Sequence, residues 1–160
     1  MNNKIILIAG DPNSINSEII FKVWKKLDNR TKKNIYLIGN FNLFSKQFKI
    51  LNYKIKMIKV ADIMNKNETN DLKIIDIPIN FKNPFKVNLK EASNYVLKSL
   101  NLAHSFIEKK HARAIINCPI NKKLIQISKK IGVTEFFASK CKIKDSSEVM
   151  FIHNKKLSVV

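Results

Sequence analysis

Short continuous apolar runs alternate with stretches of helical period along the chain, and this alternation constrains the fold more than any other feature. KIILIA at 4–9, NIYLIG at 34–39, LKIIDI at 72–77 and RAIIN at 113–117 have strand length, and a further strand is expected over 54–60. The pattern predicts an α/β domain with a mostly parallel sheet flanked by helices. The unbroken hydrophobicity of 4–9 predicts a strand buried on both faces.

Between the runs, Ile20, Val23, Trp24 and Leu27 recur at helical spacing while Lys22, Lys25 and Lys26 lie off that stripe. A surface helix is expected over 17–27, capped by Asn16 or Ser17 with Glu18 in its first turn. Phe41, Phe44, Phe48 and Leu51 mark a second helix. A third, long one opens at Asn88, with Glu91 completing a capping-box-like pair and Ala92, Tyr95, Val96, Ser99, Ala103, Phe106 and Ile107 on its buried side. The polar stretch 65–71 reads as a loop, and the two prolines of PINFKNPFKVN at 78–88 favour an extended connection. TEFFASKC reads as helical, with Thr134 as its cap, and EVMFIH and KLSVV as two strands around HNKK.

A chain of 160 residues fits one domain or one lobe of a larger protein, with enough length to bury a core. The apolar runs are too short to span a membrane, and the amino terminus lacks the apolar stretch of a signal peptide, so a cytoplasmic protein without membrane contact is expected. Cys118 and Cys141 lack metal-ligand spacing and read as free thiols. Three scattered histidines form no ligand set, so no metal site is expected here, and no serine or cysteine sits in a catalytic context.

The net charge of +18 would suit a nucleic-acid partner, yet its distribution argues against one. Arginine, which forks onto phosphates and base edges, occurs only at Arg30 and Arg113. Lysine is spread evenly, and abundant asparagine and isoleucine accompany it, as A/T-rich coding supplies. The charge reads as a solvated face, with no nucleic-acid partner expected.

Three loops are candidate ligand positions. GDPNSINSE at 10–18 lies between a strand and a helix, where free backbone N–H groups can receive an anion. It is neither a P-loop nor a dinucleotide fingerprint. Gly10, Asp11 and Asn13 are its candidates, although Asp11 and Asn13 are equally ordinary turn residues. CPINKK at 118–123 follows a strand at its carboxyl end, where open α/β sheets place ligands, and there Lys122 could meet a phosphate or carboxylate. The third is GVTE at 132–135.

Taken together, AGDPNSINSEII, IINCPINKKLI and GVTEFFASK followed by VMF resemble the 4-hydroxythreonine-4-phosphate dehydrogenase family of pyridoxal phosphate biosynthesis, in order and approximate spacing. The resemblance spans the whole chain but only the amino-terminal half of a family member, so residues 1–160 are expected to be a portion truncated before the second lobe is complete. It implies a fold similar to isocitrate and isopropylmalate dehydrogenases, a homodimer in the complete form, and a phosphorylated small-molecule substrate. The family's chemistry uses NAD and a divalent metal such as Zn, Mg or Co: hydride is removed from 4-phosphohydroxythreonine and the resulting 3-keto acid loses carbon dioxide.

Residue by residue, Lys122 matches the lysine of the family's PINK loop and Thr134 its substrate-contacting threonine, while Gly10, Asp11 and Pro12 match the first motif. Val133 stands where the family has a substrate-binding histidine, which removes a donor worth about 1.5–3 kcal/mol toward an anion. Ser14, Asn16 and Ser17 replace two glycines and a proline of the family's first loop. The family's metal histidines would fall beyond Val160. The resemblance therefore implies no catalytic residue, metal or NAD site in this chain, and an inactive protein on its own. The alternative is a non-catalytic phospholigand-binding or assembly domain derived from the family.

Overall fold

The structure, a computed structural model, describes residues 3–64, 68–126 and 132–140, together with the backbone of 152–153 and 158–159. Five parallel strands form one sheet: β1 (Ile5–Ile8), β2 (Ile35–Gly39), β3 (Met57–Lys59), β4 (Leu72–Asp76) and β5 (Ala114–Asn117). Their order is β3-β4-β2-β1-β5, with Leu7 beside Leu37 on one side and Ile116 on the other. The helices are α1 (Asn16–Lys26), α2 (Asn29–Asn34), α3 (Phe41–Ile50), α4 (Leu89–Glu108), α5 (Lys122–Gln126) and α6 (Val133–Ala138). A short antiparallel pair, β6 (Ile152–His153) and β7 (Ser158–Val159), lies apart from the sheet.

The α/β class and mostly parallel sheet are as expected, and the order of strands fixes where the helices go. The chain moves from β1 to β2 to β3 in one direction across the sheet, then returns from β4 to β5. Right-handed crossovers therefore place α1 and α3 on one face and α4 on the other. Contacts agree: α1 meets α3, while α4 packs on β1, β2 and β5. Ile6, Ile8, Leu37, Val96 and Leu100 are fully buried in the core.

Several local expectations are corrected. Burial of the first strand is one-sided, because Ile5 and Leu7 remain half-buried on the α1 face. Val23, placed in the buried stripe of α1, is 48 % exposed. The cap of α1 is Ile15, with no side-chain hydrogen bond, since Asn16 is engaged elsewhere. Gly132, not Thr134, caps α6. Asn88 caps α4 by accepting from the Glu91 amide, yet the Glu91 carboxylate accepts from the Asn80 amide rather than closing a box. The helix α2, capped by Asp28, was not anticipated, because NRTKKN carries no apolar period. The loop reading of 65–71 is described only from residue 68, and Cys141 and the remaining residues of EVMFIH and KLSVV lie outside the described residues.

Candidate functional site at the carboxyl ends of β1 and β5

Because β1 and β5 are adjacent and parallel, the loops that leave them must meet. The Asp11 amide donates to the Pro119 carbonyl at 3.2 Å. The Asn16 Nδ2 donates to the carbonyls of Pro119 at 2.8 Å, Ala9 at 2.9 Å and Asp11 at 3.4 Å. One buried amide thus ties the end of β1, its own loop and the loop after β5 together.

Gly10 is obligatory at this junction. Its φ is +75°, and a Cβ there would lie 2.6 Å from both Asn16 Nδ2 and the Pro119 oxygen. The one glycine retained in GDPNSINSE is therefore the one that the crossing of two backbones demands.

The remaining loop side chains are occupied by internal bonds. Asp11 Oδ1 accepts from the Asn13 amide at 2.9 Å, an Asx turn. Asn13 exchanges two bonds with the backbone of Val87, at 2.8 and 2.7 Å. Gln47, on α3, donates to the carbonyls of Pro12 and Pro84. Its position among Leu43, Phe44 and Phe48, a polar residue in an apolar stripe, was the only sequence signal for this clamp.

Beneath the loop, Asn16 Oδ1 and Tyr95 Oη are buried without a hydrogen-bond partner among the described residues. Both line a cavity of about 10 Å³, the size that holds a single water. Burial pushes the Tyr95 phenol upward and the Cys118 thiol to about 11. Cys118 is thus held protonated and is no nucleophile at neutral pH.

Lys122 begins α5 and is exposed, immediately after the junction. A cation in a first turn gains nothing from the helix dipole, so helix stability does not account for it. Val133 is half-buried and Thr134 exposed, both on α6. That helix is held by the buried Phe136 and by Phe137, whose ring lies 6.4 Å from His104 of α4. The structure thus unites Gly10, Asp11, Asn13 and the strand-end loop leading to Lys122. It records no hydrogen bond from Thr134 or Val133 to that loop pair among the described residues.

Residues 31–160 match the family model described as pyridoxal phosphate biosynthetic protein PdxA. The chain belongs to this family. It is 29 % identical over 163 aligned positions to a 4-hydroxythreonine-4-phosphate dehydrogenase of a Sulfurihydrogenibium species, covering 98 % of this chain and 48 % of that one. Its fold is similar to the crystal structures of 4-hydroxythreonine-4-phosphate dehydrogenases from Burkholderia phymatum (TM-score 0.83, 18 % identity) and Klebsiella pneumoniae (0.78, 19 %). Each covers 98–99 % of this chain and 48–49 % of its own length. The chain spans about half the length of the relatives it matches, namely the amino-terminal half that the motif order indicated.

Proposed function

We propose that this chain is the amino-terminal portion of an NAD- and metal-dependent dehydrogenase that oxidises 4-phosphohydroxythreonine in vitamin B6 biosynthesis, and that it supplies one wall of the substrate cleft. Membership of the family supports a dehydrogenase relation. The observation that carries the reading to this chain is the junction of the Gly10–Asn16 and Cys118–Lys122 loops at the carboxyl ends of adjacent strands, where an α/β sheet binds ligands.

Lys122 presents the positive charge for the phosphorylated substrate, and Thr134 a hydroxyl for it. The Asp11 and Asn13 side chains hold the loop in place and leave the substrate to others. Among the described residues no three His, Cys, Asp or Glu side chains could hold a metal ion together. The described residues thus supply no ligand set for the family's metal, and no step proposed for this chain runs through it. In this reading metal and NAD belong with the half of the family fold that the chain does not span, and so does homodimer formation. No helix among the described residues is long and apolar enough to cross a membrane.

The expected result for the purified 160-residue chain, given 4-phosphohydroxythreonine, NAD and a divalent metal, is no NADH. Co-expression with the carboxyl-terminal half of the Sulfurihydrogenibium enzyme should restore NADH formation. Turnover by the chain alone, or a stable complex with no turnover, would overturn the proposal. A second reading, a phospholigand-binding or assembly domain without chemistry, is favoured by Val133 in the place of the family histidine. Calorimetric binding of 4-phosphohydroxythreonine with no turnover even in the complex selects it.

A further inference from the structure

Protein atoms leave one polar pair at the loop junction incomplete. The Asn16 amide has a single workable orientation, because Nδ2 is the end that meets the carbonyls of Ala9, Asp11 and Pro119. Turning it over would set Oδ1 against three other acceptors. Oδ1 is therefore the end left over, a buried acceptor that no donor among the described residues reaches. Tyr95 of α4 holds the complementary group. The residue is 1 % exposed, and burial outweighs the nearby Asn40 amide, so the phenol keeps its proton. Its Oη is likewise without a partner among the described residues, which leaves an O–H donor in want of an acceptor.

The two atoms do not bond each other, yet both residues line the same cavity of about 10 Å³. That volume takes one water and nothing larger. The chemistry of the pair selects the same occupant. One partner donates and the other accepts, so only a molecule that does both can join them. A metal ion or ammonium would meet the phenol proton, and an anion would meet the Asn16 oxygen. A dry cavity would instead leave two desolvated polar groups unpaired beside Leu43 and Phe44, a costly arrangement in a core.

We propose that this cavity is the binding site of a single ordered water that accepts from Tyr95 Oη and donates to Asn16 Oδ1, tying α4 to the loop junction. Asn16 passes the tie on to Pro119 and the loop after β5, which makes Tyr95 a positioning residue for that pair of loops. The inference does not depend on the dehydrogenase reading, and its test reads solvent, stability and one side chain instead of turnover.

A crystal structure of the 160-residue chain that resolves ordered solvent should show a water within hydrogen-bonding distance of both Asn16 Oδ1 and Tyr95 Oη. Tyr95→Phe keeps the ring and removes only the hydroxyl, and it separates the two cases by sign. With the water bridge it removes a bond and should raise the unfolding equilibrium constant in urea about tenfold. With a dry cavity it removes an unpaired hydroxyl, so the constant stays the same or falls. The same variant should shift the Asn16 side-chain amide resonance in the nuclear magnetic resonance spectrum, because the amide oxygen loses its donor while the neighbouring ring stays in place. A wild-type crystal with no water at that position overturns the proposal. So does a Tyr95→Phe variant as stable as the wild type or more so, or an Asn16 resonance that does not move.

Discussion

At the residue scale, Asn16 carries the junction. Its Nδ2 serves three carbonyls, two of them within 3.0 Å, and the residue is 2 % exposed. Asn16→Ala should therefore cost about 3 kcal/mol, as buried carbonyls lose their donor, and urea unfolding will measure it. Lys73 presents the opposite case, a cation that burial penalises. It is fully buried on β4, with Nζ donating to the carbonyls of Lys32 and Thr69 and lying 5.1 Å from the centre of the Tyr36 ring. Burial pulls its pKa from 10.5 down to about 8, with Asp71 opposing the shift. Between those values the unfolded chain binds the extra proton, so this contribution to stability rises with pH across that window and is lost as pH falls through about 8. Relative to Lys73→Met, the wild-type protein should gain unfolding free energy between pH 7 and pH 10. A constant difference would show that Lys73 stays charged in the folded state throughout.

At the scale of elements, legibility tracked how many signals agreed. The twenty-residue α4 was readable because length, a sustained apolar stripe and Asn88 all point one way. Asn88→Ala should lower stability by about 1 kcal/mol, seen as a lower thermal midpoint with unchanged helicity at low temperature. The start of α1 was misread because Asn16, a good cap by type, is drawn to carbonyls beyond its helix and leaves Ile15 at the cap position. The six-residue α2 carries only polar side chains and so no period to detect. On α6 the true cap, Gly132, offers no side chain that a sequence pattern would flag.

At the scale of the whole molecule, the strand order brings the first two motifs together in one loop junction. Placing β5 next to β1 brings Pro119 against Gly10 and Asn16, and puts Lys122 just beyond them. If Lys122 meets the substrate phosphate, Lys122→Ala should raise the KM of the reassembled enzyme for 4-phosphohydroxythreonine about 10- to 100-fold, as one charge-assisted bond is lost. Its effect on unfolding free energy should be small, because the side chain is exposed. An unchanged KM would place the phosphate elsewhere.

The sequence by itself determined the α/β class, the positions of most strands and the long helix, and the motifs that mark the family. Periodicity and motif spacing are properties of neighbours along the chain, so these can be read from it directly. Only the tertiary structure decided that Asp11, Asn13 and Asn16 are engaged in holding the loop. Asn13 meets Val87 across 74 residues and Asn16 meets Pro119 across 103. Such partners are set by which strands lie side by side, and strand order is settled by crossover handedness and burial over the whole sheet.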